Sequence, residues 1–188
     1  MKQFTCKTLL LTAGLFSSSV IMASSAGVSL TNETVKGNVN LSMGSFGVNA
    51  GITRDDDADT STAYAGVTVE DSDTSGPLQA GLGARVYAID ENRADDNDFS
   101  MALSLGGWYR YTLPQANRVS IYGSLYYSPE VLSFGDLDHM YTYEFRGEYM
   151  TMRNARVYVS YGKTVTVYDD GSRNESDDNL AVGATVSF

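Results

Sequence analysis

The feature that most constrains this chain is a two-residue alternation of apolar and polar side chains, running from about residue 28 to the last residue. A period of two belongs to strands, because successive side chains point to opposite faces of a sheet. In the clearest stretch Val119, Ile121, Leu125 and Tyr127 alternate with Ser120, Tyr122, Ser124 and Tyr126. Next, Tyr141, Tyr143, Phe145 and Tyr149 alternate with Thr142, Glu144, Arg146 and Glu148, and at the end Leu180, Val182, Ala184, Val186 and Phe188 with Ala181, Gly183, Thr185 and Ser187. Runs of this kind fall at about 28–34, 38–44, 46–54, 60–69, 78–89, 99–112, 118–127, 140–150, 155–167 and 179–188. They predict ten strands, or eight if the two weakest at the start are set aside. Most approach the ~9 to 11 residues that carry a tilted strand across a bilayer. No helix and no domain linker emerges.

The first residues read differently. Lys2 and Lys7 flank the start of an apolar run, Leu9, Leu10, Leu11, Ala13, Gly14, Leu15 and Phe16, which gives way to small residues ending Ser24-Ser25-Ala26. This is the pattern of a secretory signal peptide, so residues 1–26 are expected to be a cleaved leader and 27–188 the barrel domain. Without the leader, 11 basic residues face 23 acidic ones and the net charge falls from −10 to −12. Such a balance argues against nucleic acid as a partner. Cys6, the only cysteine, lies in the leader, so the mature chain has no disulfide or thiol chemistry; no cofactor is expected.

The connections between strands alternate in kind. Those at 44–47, 113–117 and 151–154 are tight and 70–76 is somewhat longer, whereas 55–59, 90–98, 128–139 and 168–178 are mostly long and acidic. Long loops at one end, short turns at the other and an even strand count are the arrangement of an outer-membrane barrel. The expected topology is a single antiparallel up-and-down transmembrane β-barrel of a Gram-negative outer membrane, acidic loops outside and termini periplasmic.

Alternation alone does not say which face meets lipid, since a soluble barrel with an apolar interior alternates too. Three features favour the membrane. Phe46, Tyr109, Tyr111, Tyr149 and Phe188 fall at the short-turn strand ends and Phe99, Tyr127, Tyr141 and Tyr143 at the loop ends, which makes two aromatic girdles. The opposite face carries Arg85, Arg110, Glu144, Arg146, Glu148 and Arg156 among glycine, serine and threonine, a composition suited to a narrow lumen. The chain also stops on Phe188 after an alternating strand, which resembles the signal read by the barrel assembly machinery.

The stretch Tyr122-Gly123-Ser124-Leu125-Tyr126-Tyr127-Ser128-Pro129-Glu130 resembles the YfaZ family of small outer-membrane proteins. So do Thr151-Met152-Arg153 leading into Val157-Tyr158-Val159-Ser160-Tyr161-Gly162, and the closing Val182 to Phe188. The resemblance is best from about residue 100 onward. It implies an outer-membrane location and a porin-like role, and it brings no catalytic motif.

Seventeen of the 23 acidic residues lie in the four acidic loops. Carboxylate clusters suit hard cations, which also bridge lipopolysaccharide phosphates, and Asp55, Asp57 and Asp59 are the candidate ligands. No loop has the spacing of an EF-hand, and a solvated loop is the plainer reading. His139, the single histidine, lies near Ser133, Asp136 and Asp138, the residue types of a base-activated hydroxyl nucleophile; a solvated histidine is the default. In the lumen, a turn between the eighth and ninth strands centred on Met152 sets Glu148 opposite Arg156 and Arg146 opposite Tyr158. Three functions remain open for a barrel surrounded by outer-membrane lipid: a narrow passive channel, a closed structural or interaction barrel whose acidic loops contact lipopolysaccharide or another cell, and a lipid-modifying enzyme, of which the last is least favoured and a non-enzymatic role is expected.

Overall fold

The structure, a computed structural model, describes residues 24–71, 76–92 and 97–188. Most of the expected leader and parts of the 70–76 and 90–98 connections lie outside the described residues.

Twelve strands form among the described residues: β1 Ser24–Leu30, β2 Thr34–Met43, β3 Phe46–Asp55, β4 Thr60–Glu70, β5 Leu78–Asn92, β6 Asn97–Thr112, β7 Val119–Ser128, β8 Ser133–Phe134, β9 Leu137–Met152, β10 Ala155–Tyr168, β11 Arg173–Ser176 and β12 Leu180–Ser187. Ten of them pair antiparallel in the order β1-β2-β3-β4-β5-β6-β7-β9-β10-β12, and β12 returns to β1. The ring is therefore a closed ten-stranded barrel. Ser24 and Phe188 seal it by exchanging backbone hydrogen bonds of 3.1 and 2.8 Å. β8 continues the ladder of β6 above the end of β7, and β11 continues that of β10 above the start of β12.

The alternation sorts cleanly. Leu82, Val182 and Ile52 are 75%, 63% and 61% exposed on the outside, whereas Ser104 is 1% exposed on the inside. In water such an apolar exterior is unfavourable, at roughly 25 cal/mol per Å², so this is a surface made for lipid. Phe46, Tyr109, Tyr111, Tyr149 and Phe188 are exposed at the turn end, and Phe99 and Tyr127 toward the loop end. The charges Arg54, Asp90, His139 and Lys163 appear on the outer face only near the loop end, which bounds the apolar belt. The molecule is an outer-membrane type β-barrel.

The first hairpin sits about four residues earlier than the alternation suggests. Its turn is 31–33, where the Thr31 hydroxyl accepts hydrogen bonds from the amides of Glu33 (3.1 Å) and Thr34 (2.7 Å), a side-chain cap typical of threonine. Ser24, Ser25 and Ala26 consequently pair with β2 inside β1, although the expected leader boundary assigns them to the removed segment. The turn between β2 and β3 is tight because Gly44 adopts φ +78°, a region that suits glycine.

Candidate functional site

Inward-facing side chains divide the lumen into three layers. At the turn end lies a chamber of about 380 Å³, lined by Asn38, Asn40, Gln79, Trp108, Arg110, Arg156 and other polar residues. Arg85, Arg146, Tyr64 and Glu144 line both this chamber and a smaller cavity of about 70 Å³ above it. They form a waist between the two.

The waist alternates guanidinium and phenol. The Arg85 guanidinium lies 3.8 Å from the Tyr126 ring centre and 4.6 Å from that of Tyr64, while Nε donates to Asn49 at 2.9 Å. Arg146 sits between Tyr122 (4.8 Å) and Tyr158 (4.6 Å) and donates to Glu144 at 2.7 Å. Each such cation–π contact contributes about 0.5–2 kcal/mol, more as water is excluded. Glycine makes room for the rings: a Cβ on Gly51 or Gly183 would come within 2.5 Å of Tyr64 and 2.4 Å of Tyr158 respectively. Both are direct cross-strand partners of those tyrosines, so the rings lie over bare backbone, an aromatic–glycine pairing that pins register.

Above the small cavity the loop end is filled. Tyr87, Ile89, Ala102, Leu137, Met140 and Tyr168 form a buried apolar cluster, and the Thr166 hydroxyl of β10 donates to Glu91 of β5 across the barrel at 3.1 Å. The segment from β11 to residue 179 leans over the remaining opening. Asn174 donates to Thr60 at 3.2 Å, the Asp177 amide to Asp55 at 2.6 Å and Asn179 to Glu33 at 3.0 Å, while Asp177 forms an ion pair with Lys36. Burial raises the Asp177 carboxyl against the opposing pull of Lys36. On the outside of the same segment, Lys163 and the Tyr161 hydroxyl hold Asp178 below the usual carboxylate range, and Lys163 with Arg173 does the same for Glu175.

A model of the YfaZ precursor family matches residues 1–188, the full length given. The chain belongs to the YfaZ family. No curated protein matches it. Among solved structures it is similar to the outer membrane channel DcaP of Acinetobacter baumannii (13% identity, TM-score 0.45, covering 86% of this chain and 54% of that one). It is also similar to the KdgM porin (14%, 0.43, 89% and 99%) and to OmpT of Vibrio cholerae (17%, 0.41, 87% and 64%). The YfaZ chain thus spans about half the length of DcaP.

Arg85, Arg110, Glu144, Arg146 and Arg156 line the inner cavities of this YfaZ barrel and Glu148 is buried against Arg110, but the pairing differs from the expected register. Glu148 lies opposite Tyr158, and Arg146 opposite Ser160, because the turn falls on Arg153 and Asn154 rather than on Met152, and the one-residue irregularity between Ala155 and Arg156 offsets only part of that displacement. The Glu148 partner is Arg110, whose Nε and Nη2 donate to the two carboxylate oxygens at 2.9 and 3.2 Å. Arg156 lies opposite Met150, and its buried Nε has no hydrogen-bond partner among the described residues. β7 between them makes the Arg110–Glu148 contact possible; a pattern read along one hairpin does not contain it.

The other candidates disperse. The Asp55 carboxylate turns to the amides of Asp57 and Ala58 and to Thr34, while Asp59 pairs outward with Arg54. Asp55, Asp57 and Asp59 therefore do not converge, and no metal-binding group of three or more such residues occurs among the described residues. His139 Nδ1 lies 2.8 Å from Asp138, whereas the Ser133 hydroxyl is engaged by Ser128 and the Pro129 carbonyl. Phe188 is exposed at the turn end.

The observed pairing has a measurable consequence. Glu148→Ala strands Arg110 in a half-buried site and is expected to lower unfolding stability by about 2 kcal/mol. Arg156→Gln breaks no ion pair and should change it by less than about 0.5 kcal/mol. Urea unfolding of the refolded protein in lipid vesicles checks both, and equal losses would restore the register that pairs Glu148 with Arg156.

Proposed function

We propose that this barrel is a narrow porin-like passive channel whose loop-end mouth is held shut by the segment from β11 to residue 179. The observation that carries this reading is the change of character along the lumen. The turn-end half is a polar, arginine-lined chamber, whereas the loop end is packed with an apolar cluster and crossed by a hydrogen-bonded connection. Ten strands leave a restricted bore, far below the 16–18 strands of general porins. The apolar cluster at the mouth favours a second reading, a permanently closed barrel that contacts lipid and lipopolysaccharide through its acidic loops.

In either reading the acidic loops face the outside and the short turns the periplasm, and Phe188, which follows β12, is the residue offered to the assembly machinery. Neither reading involves catalysis, since His139 and Ser133 serve different partners. A tag inserted after Gly171, in the turn between β10 and β11, is expected to be detected on intact cells. Detection only after permeabilisation would invert the topology.

The channel itself is tested in planar bilayers. Wild-type protein is expected to conduct rarely, and deletion of 173–177 to give sustained opening with an anion preference at low salt. Selectivity at a constriction follows the charges lining it, whereas rim charges are screened within ~10 Å at 0.1 M salt. Silence of the deletion variant would select the permanently closed barrel, and a cation preference would overturn the role given to the lumen arginines.

A further inference from the structure

The turn-end chamber holds more than a passage requires. Its volume of about 380 Å³ falls within the ~300–1,000 Å³ typical of small-molecule sites. Four arginines line it, and two are already committed, Arg110 to Glu148 and Arg146 to Glu144. Arg85 and Arg156 have no carboxylate within salt-bridge distance among the described residues. Arg85 is sandwiched by tyrosines and bonded to Asn49, and Arg146, whose Nε is unpartnered, is ion-paired through Nη2, whereas Arg156 has a solvent-shielded, unpartnered Nε and no hydrogen bond or ion pair among the described residues. A buried guanidinium nitrogen without an acceptor is costly, and an arriving anion supplies the acceptor.

The rest of the lining matches a hydroxylated molecule. Asn38, Asn40 and Gln79 offer amide donors and acceptors. Trp108 lies so close over Gly81 that a Cβ there would come 2.7 Å from its Nε1, and it stacks with Tyr122 at 6.2 Å and 22°. Held in that way, the indole is a rigid platform for the C–H face of a ring. Glu70 and Asp71 also line the chamber, but from the end of β4, halfway around the barrel from β10. The site is polarised, with its basic wall at Arg156.

We propose that this chamber binds a small hydroxylated organic anion, its carboxylate or phosphate on Arg156 and its ring against Trp108. The site exists whether or not the mouth opens, so it stands independently of channel activity.

Trp108 is the only tryptophan in the chain, so its fluorescence reports on the chamber directly. Full-length protein refolded in detergent is titrated with D-glucuronate, glucose 6-phosphate and, as the neutral control, D-glucose. At least one anion is expected to give a saturable change, with D-glucose about tenfold weaker or more; the tighter anion identifies the preferred group. Arg156→Gln should weaken that anion about tenfold, the size of one lost charge-assisted hydrogen bond. Arg156→Lys should retain most of the affinity, and Glu70→Gln should strengthen it by relieving repulsion. Each variant is first shown to be folded by its gel mobility with and without boiling. No saturable response to either anion, an equal response to D-glucose, or unchanged affinity in folded Arg156→Gln would overturn the proposal.

Discussion

Everything in this barrel depends on one constraint, that a sheet in hydrocarbon leaves no backbone group unpaired. An open ten-stranded sheet would expose two edges to lipid, so the first and last strands must meet. They do so through the β1–β12 ladder, sealed where Ser24 and Phe188 exchange hydrogen bonds. Closure also makes the alternation decisive, since each strand then has one face toward lipid and one toward a confined interior. A slip of one residue in any ladder would put arginines into the bilayer and leucines into the lumen.

The interior solves a second problem, how to keep four guanidinium groups in a tube too narrow for bulk water around each. Two are neutralised by Glu144 and Glu148, and two of the four, Arg85 and Arg146, are flanked by tyrosine rings. The rings fit because glycine stands opposite two of them. Glycine, tyrosine and arginine, conspicuous as separate features of the sequence, are parts of one arrangement. Arg156 is the member left without a hydrogen-bond partner among the described residues, whereas the waist guanidinium groups are held by Asn49 and Glu144, although the Arg146 Nε and one Glu144 oxygen there also stay unpartnered.

Strand number, face assignment, girdles and the sorting of short turns from long loops were legible in the sequence because each follows from period two and local turn chemistry. The first turn is expected at about 35–37, but the polar run Thr31 to Thr34, which carries neither glycine nor proline, separates apolar positions of even number, Val28 and Leu30, from those of odd number, Val35, Val39, Leu41 and Met43, and the Thr31 side chain closes the turn there. Glu148 was assigned to the wrong arginine for a different reason. The turn sits on Arg153 and Asn154 rather than on Met152, and the one-residue bulge beside it, which nothing in the composition of 151–156 announces, sets the final register. The closure of the mouth was invisible for a third reason: Asn174 and Asp177 meet Thr60 and Asp55 more than 110 residues away in sequence, so an acidic run that reads as solvated loop is in part a latch.

The central claim is that the apolar face meets lipid while the arginine and aromatic face encloses the lumen, and Trp108 tests it most directly. In vesicles whose acyl chains carry bromine, which quenches tryptophan only on contact, Trp108 fluorescence is expected to be unaffected, while a tryptophan introduced at Ile121 on the outer face of a Trp108→Phe background is strongly quenched. Strong quenching of Trp108 with none at position 121 would contradict the account, because it would put the polar face in lipid.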